Sequence, residues 1–326
     1  MTIFSCLDAR ADRTELRGRL EKLAATFDGR IGICISELGS SDPTCVRGHE
    51  PFPLQSVMKL VVAAAVMDLA DRGQLELSEV LVVKPEDASP GPQEFANLVR
   101  SQSSLSVTME ELIRRAIVDS DSTSVDILIE RIGGVRVVQK FLREKKIEGI
   151  RIGRNERDLQ AETVGLAWCV EFSDSVKFDA AINQLPEVVR DAAWHASLRD
   201  LRDTATPMGM VQFLKMLASG ALLSAPSTQA LLAVMEKTAT GLDRLRAGIP
   251  TDWTIAHKTG TGREWKGVVS ATNDVGVLTA PGGGQIAVAV FLSESRHSTQ
   301  EGAALIASIA KCVTQSYLAR ARTKTR

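Results

Sequence analysis

From Val57 to Ala70 the chain is apolar at every position except Lys59 and Asp68. A helix without a polar face has to be wrapped on all sides, so this segment demands a surrounding layer of other elements. Its longest unbroken apolar run, Leu60 to Met67, stops at Asp68 and is far too short to cross a bilayer. Candidates for the wrapping follow it. Helical periodicity recurs at 109–118, 122–132 and 135–145, with Gly133-Gly134 separating the last two, and again at 207–219 and 226–238.

Strand patterns sit at the two ends of the chain. Residues 12–27 place Leu16, Leu20, Leu23 and Phe27 on one helical face. Arg30 to Leu38 then alternates apolar and polar side chains, and Thr44 to Gly48 continues a hairpin. Strand signals return only late, at Trp253–His257, Val268–Leu278 and Gln285–Leu292, with Pro281-Gly-Gly-Gly284 as a turn. A helix at about 299–320 closes the chain. The expected class is α+β: an antiparallel sheet built from both termini, with an inserted helical domain. The expected division is 1–55 plus 208–326 for the sheet domain and 56–207 for the all-α domain.

Composition narrows the function classes. A length of 326 residues suits about two domains. With 44% hydrophobic and 24% charged residues the chain has material for full cores, which excludes intrinsic disorder. Lys plus Arg number 39 against 40 for Asp plus Glu, so no basic excess points to nucleic acid or an anionic membrane. The five scattered cysteines suggest neither a disulfide framework nor a zinc site, and no histidine pair has ligand spacing. No metal or cofactor is expected. The N-terminal residues reach Arg10 and Arg13 without an apolar core, so no intact signal peptide is read. Ile3-Phe-Ser-Cys6 faintly resembles a lipoprotein cleavage box but lacks a basic flank. A cytosolic protein, or one whose export signal is missing from this chain, are both expected on that basis.

Three short motifs carry candidate chemistry. In Ser56-Val-Met-Lys59 a spacing of three puts hydroxyl and amine on one helix face. Pro51 and Pro53 favour an extended approach that leaves Ser56 in the first turn, where free N–H groups favour negative charge. Lys59 opens an apolar helix, where burial favours its neutral, basic form. Read alone it is a capping serine with a chance lysine, and Ser308-Ile-Ala-Lys311 repeats the pattern. Ser120-Asp-Ser122 reads equally well as an N-cap cluster, and Ser173-Asp-Ser175 repeats it. Lys258-Thr-Gly-Thr261 ends a strand, with hydroxyls and an ammonium suited to an anion; read alone it is a strand-to-turn junction.

Order breaks the tie. Ser-x-x-Lys on a buried helix, then Ser-Asp-x between helices, then Lys-Thr-Gly on a late strand resembles the signature of class A β-lactamases and penicillin-binding proteins. The resemblance to class A β-lactamases runs from about residue 30 to the end. Phe52-Pro-Leu-Gln-Ser-Val-Met-Lys59 and Ala256-His-Lys-Thr-Gly-Thr261 are most similar to the extended-spectrum branch that includes the PER enzymes. The resemblance implies an α/β domain with terminal helices, joined to an all-α domain with the site between them. Ser56 would be the nucleophile, with Lys59 and Glu156 managing its proton. Ser120 would serve the leaving nitrogen, and the N–H groups of Ser56 and Thr261 the oxyanion. Lys258, Thr259, Gly260 and Thr261, helped by Arg263 or Lys266, would bind the substrate carboxylate. Glu156, in Arg154-Asn-Glu-Arg-Asp-Leu-Gln160, falls 36 residues after Ser120 and matches the family's water-activating glutamate.

The chain departs from the family pattern in three places. Ser122 stands where the family has an asparagine that contacts substrate. Gln160 stands for the asparagine that helps hold the water. The stretch from Glu156 to Thr206-Pro207 is much longer than usual and includes a possible helix at Leu185–Arg190. A monomeric enzyme acting on a small-molecule β-lactam is expected, exported by family resemblance. A D-alanyl-D-alanine peptidase-like hydrolase and a penicillin-binding sensor that stays acylated share the first three motifs and stay open.

Overall fold

The structure is a computed structural model that describes residues 3–91 and 93–324, with side chains over 13–91 and 93–321. The side chains of the Ile3–Cys6 stretch lie outside that range. Helix α1 (Ile3–Ala25) leads into β1 (Arg30–Glu37), β2 (Thr44–Val46) and the two-residue β3 (Phe52–Pro53). A 3-10 turn at Gln55–Val57 opens α2 (Met58–Asp71), followed by β4 (Val80–Val83), α3 (Glu94–Gln102) and β5 (Leu105–Thr108). Then come α4 (Met109–Val118), α5 (Ser122–Arg131), α6 (Val135–Glu144), β6 (Ile150–Arg151) and α7 (Glu156–Thr163). They are followed by α8 (Ser175–Gln184), α9 (Glu187–Arg199), β7 (Thr204–Ala205), α10 (Pro207–Ala218) and α11 (Ala225–Glu236). The chain ends through α12 (Leu245–Gly248), β8 (Thr254–Thr261), β9 (Glu264–Trp265), β10 (Val268–Thr279), β11 (Gln285–Ser295) and α13 (Thr299–Lys324).

Two compact units result. One draws on the chain up to Gln55, on Ala205–Ser219 and on the chain from Ala239; the other on Ser56–Thr204 and Gly220–Thr238. In the first, an antiparallel sheet runs β2-β1-β11-β10-β8, with β9 paired to β10. Alternation decides its faces. Ile31, Ile33 and Ile35 lie opposite Leu292, Val290 and Val288, and all six join Leu16 and Leu20 of α1 and Ile306, Ile309 and Val313 of α13 in one core. On the other face Gly32 leaves room for the Phe52 ring, which a Cβ would meet at 2.3 Å. The ladder also sets Cys34 opposite Cys45, and the two form a disulfide. This corrects the cysteine reading: the count is odd and the residues scattered, but a hairpin register brings one pair together.

In the second unit α2 is buried from Val57 to Asp68 and packs against α4, α5, α6 and α11. Helix α11 therefore belongs here and not with the sheet: the chain leaves the helical unit at Thr204, near the expected 207, but returns to it over Gly220–Thr238 instead of staying with the sheet. This unit is not all-α either, because β4 and β5 pair in an antiparallel ladder. Each is four residues long, too short for alternation to separate a strand from a buried turn of helix. Among the described residues no helix is long and apolar enough to cross a membrane.

Candidate active site

The expected site residues fall into two groups, one in each unit. Gln55, the residue just before the helical unit begins, takes a left-handed φ of 49° and opens the 3-10 turn that carries Ser56. Ser56 thus lies two residues before α2, in the 3-10 turn, and not within the helix's first turn. Lys59, the second residue of α2, is 1% exposed. Its Nζ donates to Ser56 Oγ at 2.8 Å, to the Ser120 carbonyl at 2.7 Å and to Ser122 Oγ at 3.1 Å. Glu156 Oε1 lies 3.1 Å from the same nitrogen. The amine expected in apolar surroundings is instead ringed by four oxygens, one of them a carboxylate.

Ser120 sits in the left-handed region at φ 59°, between α4 and α5. Asp121 caps α5 by accepting from the Ser124 N–H at 2.6 Å. Burial pushes the Asp121 carboxyl up, and the Ser124 bond opposes it. The candidate motif thus also contains the N-cap of α5. The two decoys are ordinary structure. Asp174 caps α8 through the Val176 N–H, and Ser308 bonds the Ala304 carbonyl on an exposed helix face.

Glu156 is no surface charge: it is 5% exposed at the start of α7, which Asn155 caps. One turn on, Gln160 Nε2 donates to Glu156 Oε2 at 3.2 Å and to Ser122 Oγ at 3.3 Å. Ser122 Oγ in turn donates to Glu156 Oε2 at 3.3 Å. Asp126, on α5, fixes the helix entry by accepting from the N–H groups of Glu156 at 2.6 Å and Arg157 at 2.9 Å, and from the Ser89 hydroxyl at 2.6 Å. Burial pushes Asp126 up to about 7, against the pull of Ser89 and Arg157.

The long stretch after Glu156 is closed at its base by ion pairs. Arg154 reaches Asp203 at 2.7 Å, Glu162 at 2.7 Å and Asp200 at 3.2 Å, and Arg202 adds a fork to Asp200 and Glu162. Inside the loop are α8 and α9, the second of them longer than the helix expected at Leu185–Arg190. The Arg157 guanidinium lies 5.5 Å from the Trp168 ring, whose edge meets Phe172.

In the sheet unit, Lys258-Thr-Gly-Thr261 forms the last four residues of β8, paired with β10 so that Thr259 faces Asp274 and Gly260 faces Asn273. Lys258 is fully buried and its Nζ donates to the Thr259 carbonyl at 3.0 Å. Arg244, which the sequence reading passed over, donates to Thr261 Oγ1 at 2.7 Å and to the Gly260 and Asn273 carbonyls at 3.1 and 2.8 Å. Arg263 and Lys266 are exposed around β9, with the Lys266 ammonium 5.7 Å from the Trp265 ring. Arg244 thus adds a buried guanidinium to the Lys-Thr-Gly strand.

The sequence profile of the β-lactamase enzyme family matches residues 15–317. The chain belongs to this family. It is 29% identical to the β-lactamase VEB-1 of Pseudomonas aeruginosa over 97% of this chain and 94% of the relative. It is 25% identical to the extended-spectrum β-lactamase PER-1 of the same organism, over 97% and 91%. A solved class A β-lactamase reconstructed as a last common ancestor of Gram-negative bacteria superposes with a TM-score of 0.73 at 29% identity. That match covers 93% of this chain and 99% of the ancestor. The chain is a class A member of the family, of the PER and VEB kind. Three residues outside the motifs bond to motif residues: Gln93 accepts from the Ser122 N–H, Asp126 accepts from the Glu156 N–H, and Arg244 donates to Thr261 Oγ1.

Proposed function

We propose that the protein hydrolyses β-lactams through an acyl-enzyme on Ser56, with deacylation driven by water that Glu156 deprotonates. The carrying observation is Lys59 Nζ at 2.8 Å from Ser56 Oγ and 3.1 Å from Glu156 Oε1. As Ser56 Oγ bonds to the lactam carbonyl carbon, its proton passes to the Lys59–Glu156 pair. The ring C–N bond then breaks while Ser120 protonates the nitrogen and draws a replacement proton from the same pair. In the second half Glu156 takes a proton from water, the hydroxide attacks the ester, and Ser56 leaves with that proton.

Backbone N–H groups of Ser56 and Thr261 are assigned to the oxyanion. Lys258, Thr259, Gly260 and Thr261, with Arg244 and helped by Arg263 or Lys266, are assigned to the substrate carboxylate. Ser122 and Gln160 hold Glu156. The protein is assigned to a compartment outside the cytosol, which the Cys34–Cys45 disulfide supports.

A chromogenic cephalosporin tests the activity, and peptide mapping after a slow β-lactam tests the nucleophile. Steady turnover and one adduct on Ser56 are expected. An adduct on another serine overturns the mechanism. Acylation of Ser56 without turnover means a penicillin-binding sensor, and cleavage of D-alanyl-D-alanine peptides alone means a peptidase.

A further inference from the structure

Three donors converge on one hydroxyl in the helical unit. Ser122 Oγ receives Lys59 Nζ at 3.1 Å, Gln160 Nε2 at 3.3 Å and Gln93 Nε2 at 3.3 Å. A serine oxygen has two lone pairs and one proton. Three donors thus share two lone pairs, which fills the acceptor side and leaves the hydroxyl proton for Glu156 Oε2 at 3.3 Å. Gln93 contributes more than one of these bonds. Its Oε1 accepts from the Ser122 backbone N–H at 2.8 Å, and that bond fixes which end of the amide faces which atom.

Ser122 is the first residue of α5, and its N–H has no partner within the helix. Asp121 serves Ser124, so Gln93, 29 positions upstream at the cap of α3, serves Ser122. The same side chain thus grips both the backbone and the hydroxyl of one residue. Gripped at both points, the Ser122 rotor is held where its oxygen faces Lys59 and its proton faces Glu156.

We propose that Gln93 is a positioning residue for the reaction: it orients the Ser122 hydroxyl as a donor to Glu156, and so holds the carboxylate in place to activate water. This rests on the acyl-enzyme reading above. Losing the orientation slows deacylation and leaves acylation at Ser56 largely intact. In Gln93→Met the amide is gone at similar length. In Gln93→Glu an oxygen can still accept the Ser122 N–H, but the second oxygen accepts the hydroxyl proton and turns it away from Glu156.

The test is pre-steady-state and steady-state hydrolysis of a chromogenic cephalosporin, with intact mass spectrometry. Both variants are expected to lower kcat and KM together by about tenfold, part of the ~10²–10⁴-fold that general-base help supplies. A burst should appear, with an adduct persisting on Ser56. In a Ser122→Ala background, Gln93→Met should change kcat by less than about twofold, because the hydroxyl it orients is absent. If the Met variant does not fold, the Glu variant still decides, since it keeps the bond to the start of α5. A role confined to the fold predicts a smaller active fraction with KM unchanged, or a full loss that persists beside Ser122→Ala; either overturns the proposal. Unchanged kinetics in Gln93→Glu overturn it too. Absence of any Ser56 adduct in the unmodified protein after a slow β-lactam overturns the acyl-enzyme reading itself.

Discussion

Burying the amine of Lys59 is tolerable because Glu156, Ser56, Ser120 and Ser122 each present an oxygen to it. Asp126 solves the opposite problem, a fully buried carboxyl surrounded by N–H and O–H donors. Its carboxyl is pushed from 3.8 up to about 7, chiefly by burial. The folded chain therefore holds a proton that the unfolded chain releases. This group's destabilising ionisation is absent at the acid end and grows as pH rises through that window. The slope is at most about 1.4 kcal/mol per pH unit. Urea unfolding at pH 5 and pH 7.5 should show the unmodified protein losing more stability across the interval than Asp126→Asn, whose side chain does not ionise. Equal losses would mean that Asp126 is ionised throughout. Of these residues Ser56, Lys59, Ser120 and Glu156 were legible, because their order and spacing form a pattern. Asp126, Gln93 and Arg244 were not. Each acts through two or three hydrogen bonds to residues 16 to 37 positions away, and no local periodicity records such contacts.

Helices with an apolar stripe were read almost to the residue, as at 109–118, where Met109, Leu112, Ile113, Ala116 and Ile117 face inward. Those of the long loop were not. Helix α8 buries only Phe178 and α9 only Trp194, so neither offers a stripe to detect. What holds this segment is its charged base. Asp203 accepts from the Gly153 and Arg154 N–H groups and from the Arg154 guanidinium. Asp203→Ala leaves those donors buried and should cost about 3 kcal/mol. Limited proteolysis should then open the segment between α7 and β7 before the sheet unit unfolds. Cleavage at the unmodified rate would show that Glu162 and Asp200 suffice to hold Arg154.

Across the whole molecule, the apolar helix and the paired ends of the chain dictated an α+β fold with an inserted helical unit. The exact partition needed contacts, since α11 joins the helical unit from the far side of α10. The Cys34–Cys45 bond spans 11 residues and should be worth about 2–3 kcal/mol through the unfolded chain. Peptide mapping of protein from the native host should find it intact, and reduction should lower Tm. Both thiols free in the native protein would favour a cytosolic location. The central claim is that Glu156 turns the acyl-enzyme over. The most direct test is Glu156→Ala with pre-steady-state kinetics and intact mass spectrometry. One burst per active site, a stall, and a lasting adduct on Ser56 are expected. Deacylation at the unmodified rate would contradict the claim.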